Sequence, residues 1–111
     1  MLPRSQRNSK GVFNEIIQKG SFLNCNFFII RTVKTQTESH FSVSVPKKVS
    51  KLAVERNKIR RRVYSAIQKF GKRIATGYNA ILIMKQGSEK LEFDELTKEI
   101  DKNFVKYGLL K

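Results

Sequence analysis

The sequence predicts an α+β two-layer sandwich in the order α-β-β-α-β-α, with one small mixed sheet and a strongly basic crossover helix. Three observations carry this. Residues 26–34 and 41–45 have the apolar content and two-residue period of strands. Between Leu52 and Phe70 the period changes to that of a helix. A further apolar run, Tyr78 to Met84, follows, and a strand, helix, strand succession is ordinarily a βαβ crossover.

Each element has its own reason. Ser9 is a suitable helix N-cap before Val12, Phe13, Ile16 and Ile17, whose spacing makes a one-sided apolar stripe that Gly20 ends. In the strand from Asn26 to Lys34, Phe27, Ile29, Arg31 and Val33 point one way and Phe28, Ile30, Thr32 and Lys34 the other. Its first half is apolar on both faces, so both faces need cover. After the polar turn Thr35 to Ser39, Phe41, Val43 and Val45 alternate with Ser42 and Ser44 until Pro46. On the basic helix, Leu52, Ile59, Val63, Ala66, Ile67 and Phe70 share one arc. Tyr78 to Met84 reads as a buried central strand. The last helix starts near Phe93 with Asp94 and Glu95 in its first turn, where acids suit the helix dipole. Phe93, Leu96, Ile100, Phe104 and Tyr107 form its buried stripe, and Gly108 stops it.

The 111 residues suit one domain spanning 1–111, with 1–8 expected as a flexible arm. One Cys (Cys25) and one His (His40) make neither an internal disulfide nor a four-ligand zinc site. Nucleophilic catalysis of the Ser-His-Asp or Cys-His kind would rest on His40 alone. No apolar run approaches the ~20 residues of a membrane span, and the amino terminus lacks a signal's apolar stretch. A cytoplasmic protein is expected.

The formal charge is +14. Residues 89–111 hold five Lys and six of the nine acids, so residues 1–88 carry 18 bases against three acids. The densest stretch, Lys51 to Arg73, has nine bases and Glu55 as its one acid. Charge of one sign on a folded domain repels itself and points to a partner of the other sign, for a small cytoplasmic domain most often nucleic acid.

Asn57, Arg60, Arg61, Tyr64 and Gln68 recur at helical spacing as one polar stripe. Arg56 lies at its edge, and Lys58, Arg62 and Lys69 lie on its other flank. A guanidinium fork makes two parallel hydrogen bonds to phosphate oxygens, which an ammonium does not. Four Arg within Arg56 to Arg62 therefore favour phosphate recognition over a merely solvated face. A helix reading the DNA major groove would need a second helix just before it, and none is expected there.

Phe41-Ser42-Val43-Ser44-Val45-Pro46-Lys47-Lys48-Val49, followed by Ala53-Val54-Glu55-Arg56-Asn57-Lys58-Ile59-Arg60-Arg61-Arg62, resembles the signature of the bacterial ribonuclease P protein subunit. Phe13 to Gly20 is similar to that family's first helix, Gly77 to Met84 to its Gly-Tyr-Asp strand, and Phe93 to Leu110 to its closing helix. Tyr64 stands where the family usually has another Arg, and Ile17 where an aromatic is common.

The resemblance implies a subunit of the ribonuclease P endoribonuclease, in which the RNA partner carries the hydrolytic chemistry and this protein has no catalytic residue. It implies binding of the catalytic RNA by Arg56, Asn57, Arg60 and Arg61, extended by Lys47, Lys48, Lys58 and Arg62. It also implies a cleft for the 5′ leader of precursor tRNA, at or beside Phe13, Ile17, Phe28, Ile30, Ser42 and Ser44. For the four apolar members the competing assignment is the core, where Phe and Ile are most often buried. Mg²⁺ would be held mainly by the RNA, with Asn57 as an outer-sphere candidate and no direct protein ligand. Neither membrane nor DNA is expected as a partner. The alternative function is a non-enzymatic RNA-binding module of ribosomal or translation-factor type.

Overall fold

The computed structural model describes residues 7–111. The elements are α1 (Lys10–Lys19), β1 (Ser21–Asn24), β2 (Phe28–Lys34), β3 (His40–Ser44), α2 (Ala53–Phe70), β4 (Tyr78–Met84) and α3 (Phe93–Lys106), with 3₁₀ turns after α2 and before α3. The Ser9 side chain accepts from the Val12 amide and starts α1. Gly20 ends α1 for a steric reason: a Cβ there would lie 2.5 Å from the Ile16 carbonyl oxygen and 3.2 Å from that of Thr32. Gly108, at φ 80°, takes the chain out of α3 in a conformation open to glycine.

The sheet order is β1-β2-β4-β3. β2 pairs antiparallel with β1 and β4, whereas β3 pairs parallel with β4. The last strand in sequence therefore lies between β2 and β3, and α2 is the crossover that the parallel β3–β4 pair requires. β4 is buried along most of its length, as its unbroken apolar run requires.

β1 is an addition to the expected order. It is a four-residue edge strand, exposed at three positions, so it carries no apolar alternation to read. The arm expected over 1–8 also needs correction at its end. Arg7 forms a parallel bridge with Phe41, and the Asn8 amide donates to the Phe41 carbonyl, so these two residues lie along the free edge of β3. The rest of that arm lies outside the described residues.

The main core lies between the sheet and the α2/α3 pair. Ile59, Val63, Ala66, Ile67 and Phe70 of α2 meet Leu96, Ile100 and Phe104 of α3 over Phe41, Val43, Ala80 and Leu82. Phe104 stacks on Phe41 at 5.7 Å and tilts against Phe70 at 6.0 Å. α1 crosses the other face over β2 and β4, where the fully buried Ile16 and Ile81 lie outside the main cluster.

Phe28 and Ile30, expected in a cleft, are corrected to the core. They oppose Met84 and Leu82 on the α2/α3 face and have no exposure. Because the strand is apolar on both sides, its alternation separates the faces without saying which one α1 covers. Leu52 is the other correction: it is the N-cap of α2 and 62% exposed, a turn too early to reach the core.

Replacing Phe104 with Ala should cost about 3–5 kcal/mol of unfolding free energy, because it removes the ring shared by α3, α2 and β3. Urea denaturation followed by circular dichroism measures it. A loss under about 1 kcal/mol would contradict this placement.

Candidate nucleic-acid interface

α2 presents its cations because its other side is buried. Lys58, Arg61 and Arg62 are exposed and Arg60 is half-buried. The ion pairs among the described residues are Arg73 with Asp101 and Lys102 with Glu99, so none involves Arg56 to Arg62. Lys47 and Lys48 are exposed in the β3–α2 connection, where the Gln86 side chain donates to the Lys48 carbonyl at 2.9 Å. These residues make one positive surface from the end of β3 along α2.

The stripe is less uniform than its spacing suggests. Arg56 donates through Nη1 to the carbonyls of Ser50 and Lys51, at 3.0 and 2.9 Å, and so secures the loop entering α2. Arg60 donates to Oδ1 of the exposed Asn57, which leaves the amide NH₂ of that side chain as a donor. Tyr64, expected on the polar stripe, is 5% exposed. Its hydroxyl accepts from the Val43 amide at 3.1 Å, satisfying a donor on the edge strand that no neighbouring strand pairs. A phenol long enough to reach β3 is amphipathic, so the helical wheel alone places it on either side.

Two open notches flank α2. Arg7, Val54, Asn57, Arg60, Arg61 and Tyr64 surround one of about 520 Å³. Lys58, Arg61, Arg62, Ser65 and Phe93 line the other, about 490 Å³. Arg61 stands between them.

The α1 side of the sheet holds the second surface. Cross-strand register puts Phe22, Arg31, Ile81 and Ser42 in one row, and Asn24, Ile29, Ile83 and Ser44 in the next. Ser42 is buried, with its Oγ accepting from the Asn8 side chain at 3.1 Å. Ser44, Ile29, Arg31 and Ile83 remain half-buried beside α1, from which Phe13 and Ile17 stay partly open. Arg31 lies 5.9 Å from the ring centroid of Phe22, which is 59% exposed on β1. Sequence reasoning missed Phe22, Ile29, Arg31 and Ile83. Their signal was present for Ile29 and Arg31 as the opposite face of β2, but absent for Phe22 because β1 was not recognised.

Cys25 and His40 each have their own surroundings. Burial pushes the Cys25 thiol up from its ordinary value, which keeps it a thiol near neutrality. His40 Nδ1 lies 3.1 Å from Asn79 Oδ1, an amide partner. Among the described residues no three of His, Cys, Asp and Glu gather to hold a metal, and no helix is long and apolar enough to cross a membrane.

A family model described as Ribonuclease P matches residues 2–108. The chain belongs to the ribonuclease P protein family. It is 30% identical over 101 residues to the ribonuclease P protein component of Geobacillus kaustophilus, covering 89% of this chain and 83% of that one. With the corresponding component of Microcystis aeruginosa it shares 32% identity over 72 residues, 65% of this chain and 60% of the relative. The fold matches that of the Staphylococcus aureus RNase P protein with a TM-score of 0.81, at 20% identity, covering 94% and 95% of the two chains. The chain is thus a protein subunit of ribonuclease P, serving 5′ processing of tRNA within a ribonucleoprotein endoribonuclease. In this ribonuclease P protein, Tyr64 works first as a brace between α2 and β3.

Tyr64→Phe should therefore cost about 1–3 kcal/mol of stability by leaving the Val43 amide without its partner. It should also speed hydrogen exchange at that amide. Unchanged exchange at Val43 would show that the bond does not form.

Proposed function

We propose that the basic face of α2 docks on the catalytic RNA of ribonuclease P while the groove between α1 and the sheet receives the 5′ leader of precursor tRNA. The observation that carries this reading is the set of Arg and Lys on α2 without acidic partners, held on a helix that the core keeps rigid. Phosphates supply the charge that the protein lacks. Arg60, Arg61 and Arg62, with Lys58, Lys47 and Lys48, act as contacts to the RNA backbone. Arg56 contributes mainly by securing the helix entry. Asn57 offers its NH₂ to a phosphate oxygen; with Arg60 on its carbonyl, that role suits it better than meeting the hydration shell of a metal.

For the leader, the groove members are Phe13 and Ile17 of α1 with Ile29, Arg31, Ile83 and Ser44 of the sheet. Phe13 gives a base a face to stack on with little sequence preference, and Arg31 gives a phosphate or base a cation. Ser42 lies under Asn8 and contributes by anchoring that residue. Mg²⁺ bound by the RNA would supply the neutralisation of phosphate charge and the activation of water, with no side chain of this protein as its direct ligand. The side chains here bind and orient the RNA and lower local repulsion. The compartment is that of the substrate, the cytoplasm.

Cleavage of precursor tRNA by a bacterial ribonuclease P RNA, at Mg²⁺ too low for the RNA alone, tests the reading. Added protein should restore cleavage at the mature 5′ end, and Arg60→Ala with Arg61→Ala should raise the Mg²⁺ required. RNA binding without restored cleavage would instead identify a structural RNA-binding module. The groove has its own test. Phe13→Ala should weaken holoenzyme affinity for precursor tRNA by about 1 kcal/mol, roughly fivefold, and leave affinity for mature tRNA unchanged. An equal loss for both RNAs would remove Phe13 from the leader path.

A further inference from the structure

Arg7 comes from the segment before α1, yet its guanidinium carbon lies 5.7 Å over the ring of Tyr64 on α2. Both partners are fixed. Arg7 is bridged to Phe41 on the β3 edge, and the next residue, Asn8, donates from its side chain to Ser42 Oγ at 3.1 Å and to the Ala80 carbonyl at 2.8 Å. Tyr64 is pinned through its hydroxyl to the Val43 amide. The cation is thus held on an aromatic floor that is itself anchored in the sheet.

Arg7 completes a notch that Arg60, Arg61 and Asn57 also line, with Arg60 donating to the Asn57 Oδ1. The notch has no acidic lining residue, Arg7 has no ion-pair partner among the described residues, and residues 1–6 hold no acid. The buried Nε of Arg7 has no hydrogen-bond partner among those residues either. Three like charges lining one notch repel each other, and a phosphate reverses the sign of that interaction. The volume, about 520 Å³, has room for a nucleotide. On its other side Arg7 also lines a second notch with Asn8, Ser9, Ser42 and Tyr64, toward the start of α1. It therefore stands at the junction of the basic helix and the groove side of the sheet.

We propose that Arg7, seated on Tyr64, forms with Asn57, Arg60 and Arg61 a single RNA-phosphate seat where the two RNA surfaces of the protein meet. This rests on the RNA-docking reading above. Tyr64 acts there as the platform that brings in a guanidinium from another segment, and the third turn of α2 needs no arginine of its own. Lysine at position 7 would keep the charge but lose the planar fork and much of the stacking.

The test is equilibrium binding of the full-length protein to a bacterial ribonuclease P RNA at fixed salt. Arg7→Ala should weaken binding roughly five- to tenfold, Arg7→Lys by less, and neither should change the melting temperature by more than a few degrees. In a Tyr64→Leu background, Arg7→Ala should cost nothing further, because the platform is already gone. If Tyr64→Leu does not fold, the two Arg7 variants decide alone. Wild-type affinity in Arg7→Ala, with affinity lost in Arg60→Ala/Arg61→Ala, would overturn the seat and leave the docking reading intact. Wild-type affinity in both would overturn the two together.

Discussion

One constraint organises the molecule: α2 is required on both of its sides. Its exposed side gathers cations that repel one another, and its buried side must hold them in place. Burying a Val, Ile or Phe side chain contributes about 1.5–3 kcal/mol, and Ile59, Val63, Ile67 and Phe70 are all buried. Unfavourable exposed charge pairs on a helix cost only a few tenths of a kcal/mol each. Burial wins comfortably, so the helix can carry charge that its own folding does not favour. Binding a polyanion there would recover the cost, because counterion release adds to affinity.

The parallel β3–α2–β4 unit fixes where that charge points. The Tyr64 hydroxyl on Val43 and the Gln86 amide on Lys48 tie the helix and its entry loop to the sheet. Insertion of β4 between β2 and β3 separates the faces into two jobs. One is closed by α2 and α3. Among the described elements the other is crossed by α1 alone, which leaves Ile29, Ile83 and Ser44 half-open along it.

Much of this was legible in the sequence. The switch from a period of two to one of 3.6 locates α2, and the unbroken run at Tyr78 to Met84 marks a central strand. Four features were not legible, each for a physical reason. β1 is short, exposed and on an edge, so nothing in its composition distinguishes it from a loop. The doubly apolar β2 reveals that both faces are covered but not by what, which put Phe28 and Ile30 in the groove instead of Ile29 and Arg31. Tyr64 has the spacing of a surface residue, and only the position of β3 shows that its hydroxyl has a buried partner. The docking of Arg7 on Tyr64 joins residues 57 apart in sequence, beyond the reach of any local pattern.

On the proposed docking, RNA affinity comes from charge held on α2, not from the net charge of the chain. The most direct measurement is the slope of log affinity for a ribonuclease P RNA against log salt concentration. It should be taken for the wild type, for Arg60, Arg61 and Arg62 changed together to Ala, and for Lys98, Lys102 and Lys106 of α3 changed together to Ala. Both variants remove the same formal charge. The account predicts that the α2 variant loses roughly 2–3 units of slope, at ~0.7–0.9 per phosphate contact, while the α3 variant keeps the wild-type slope. Equal losses in the two variants would contradict it and make the binding a property of overall charge.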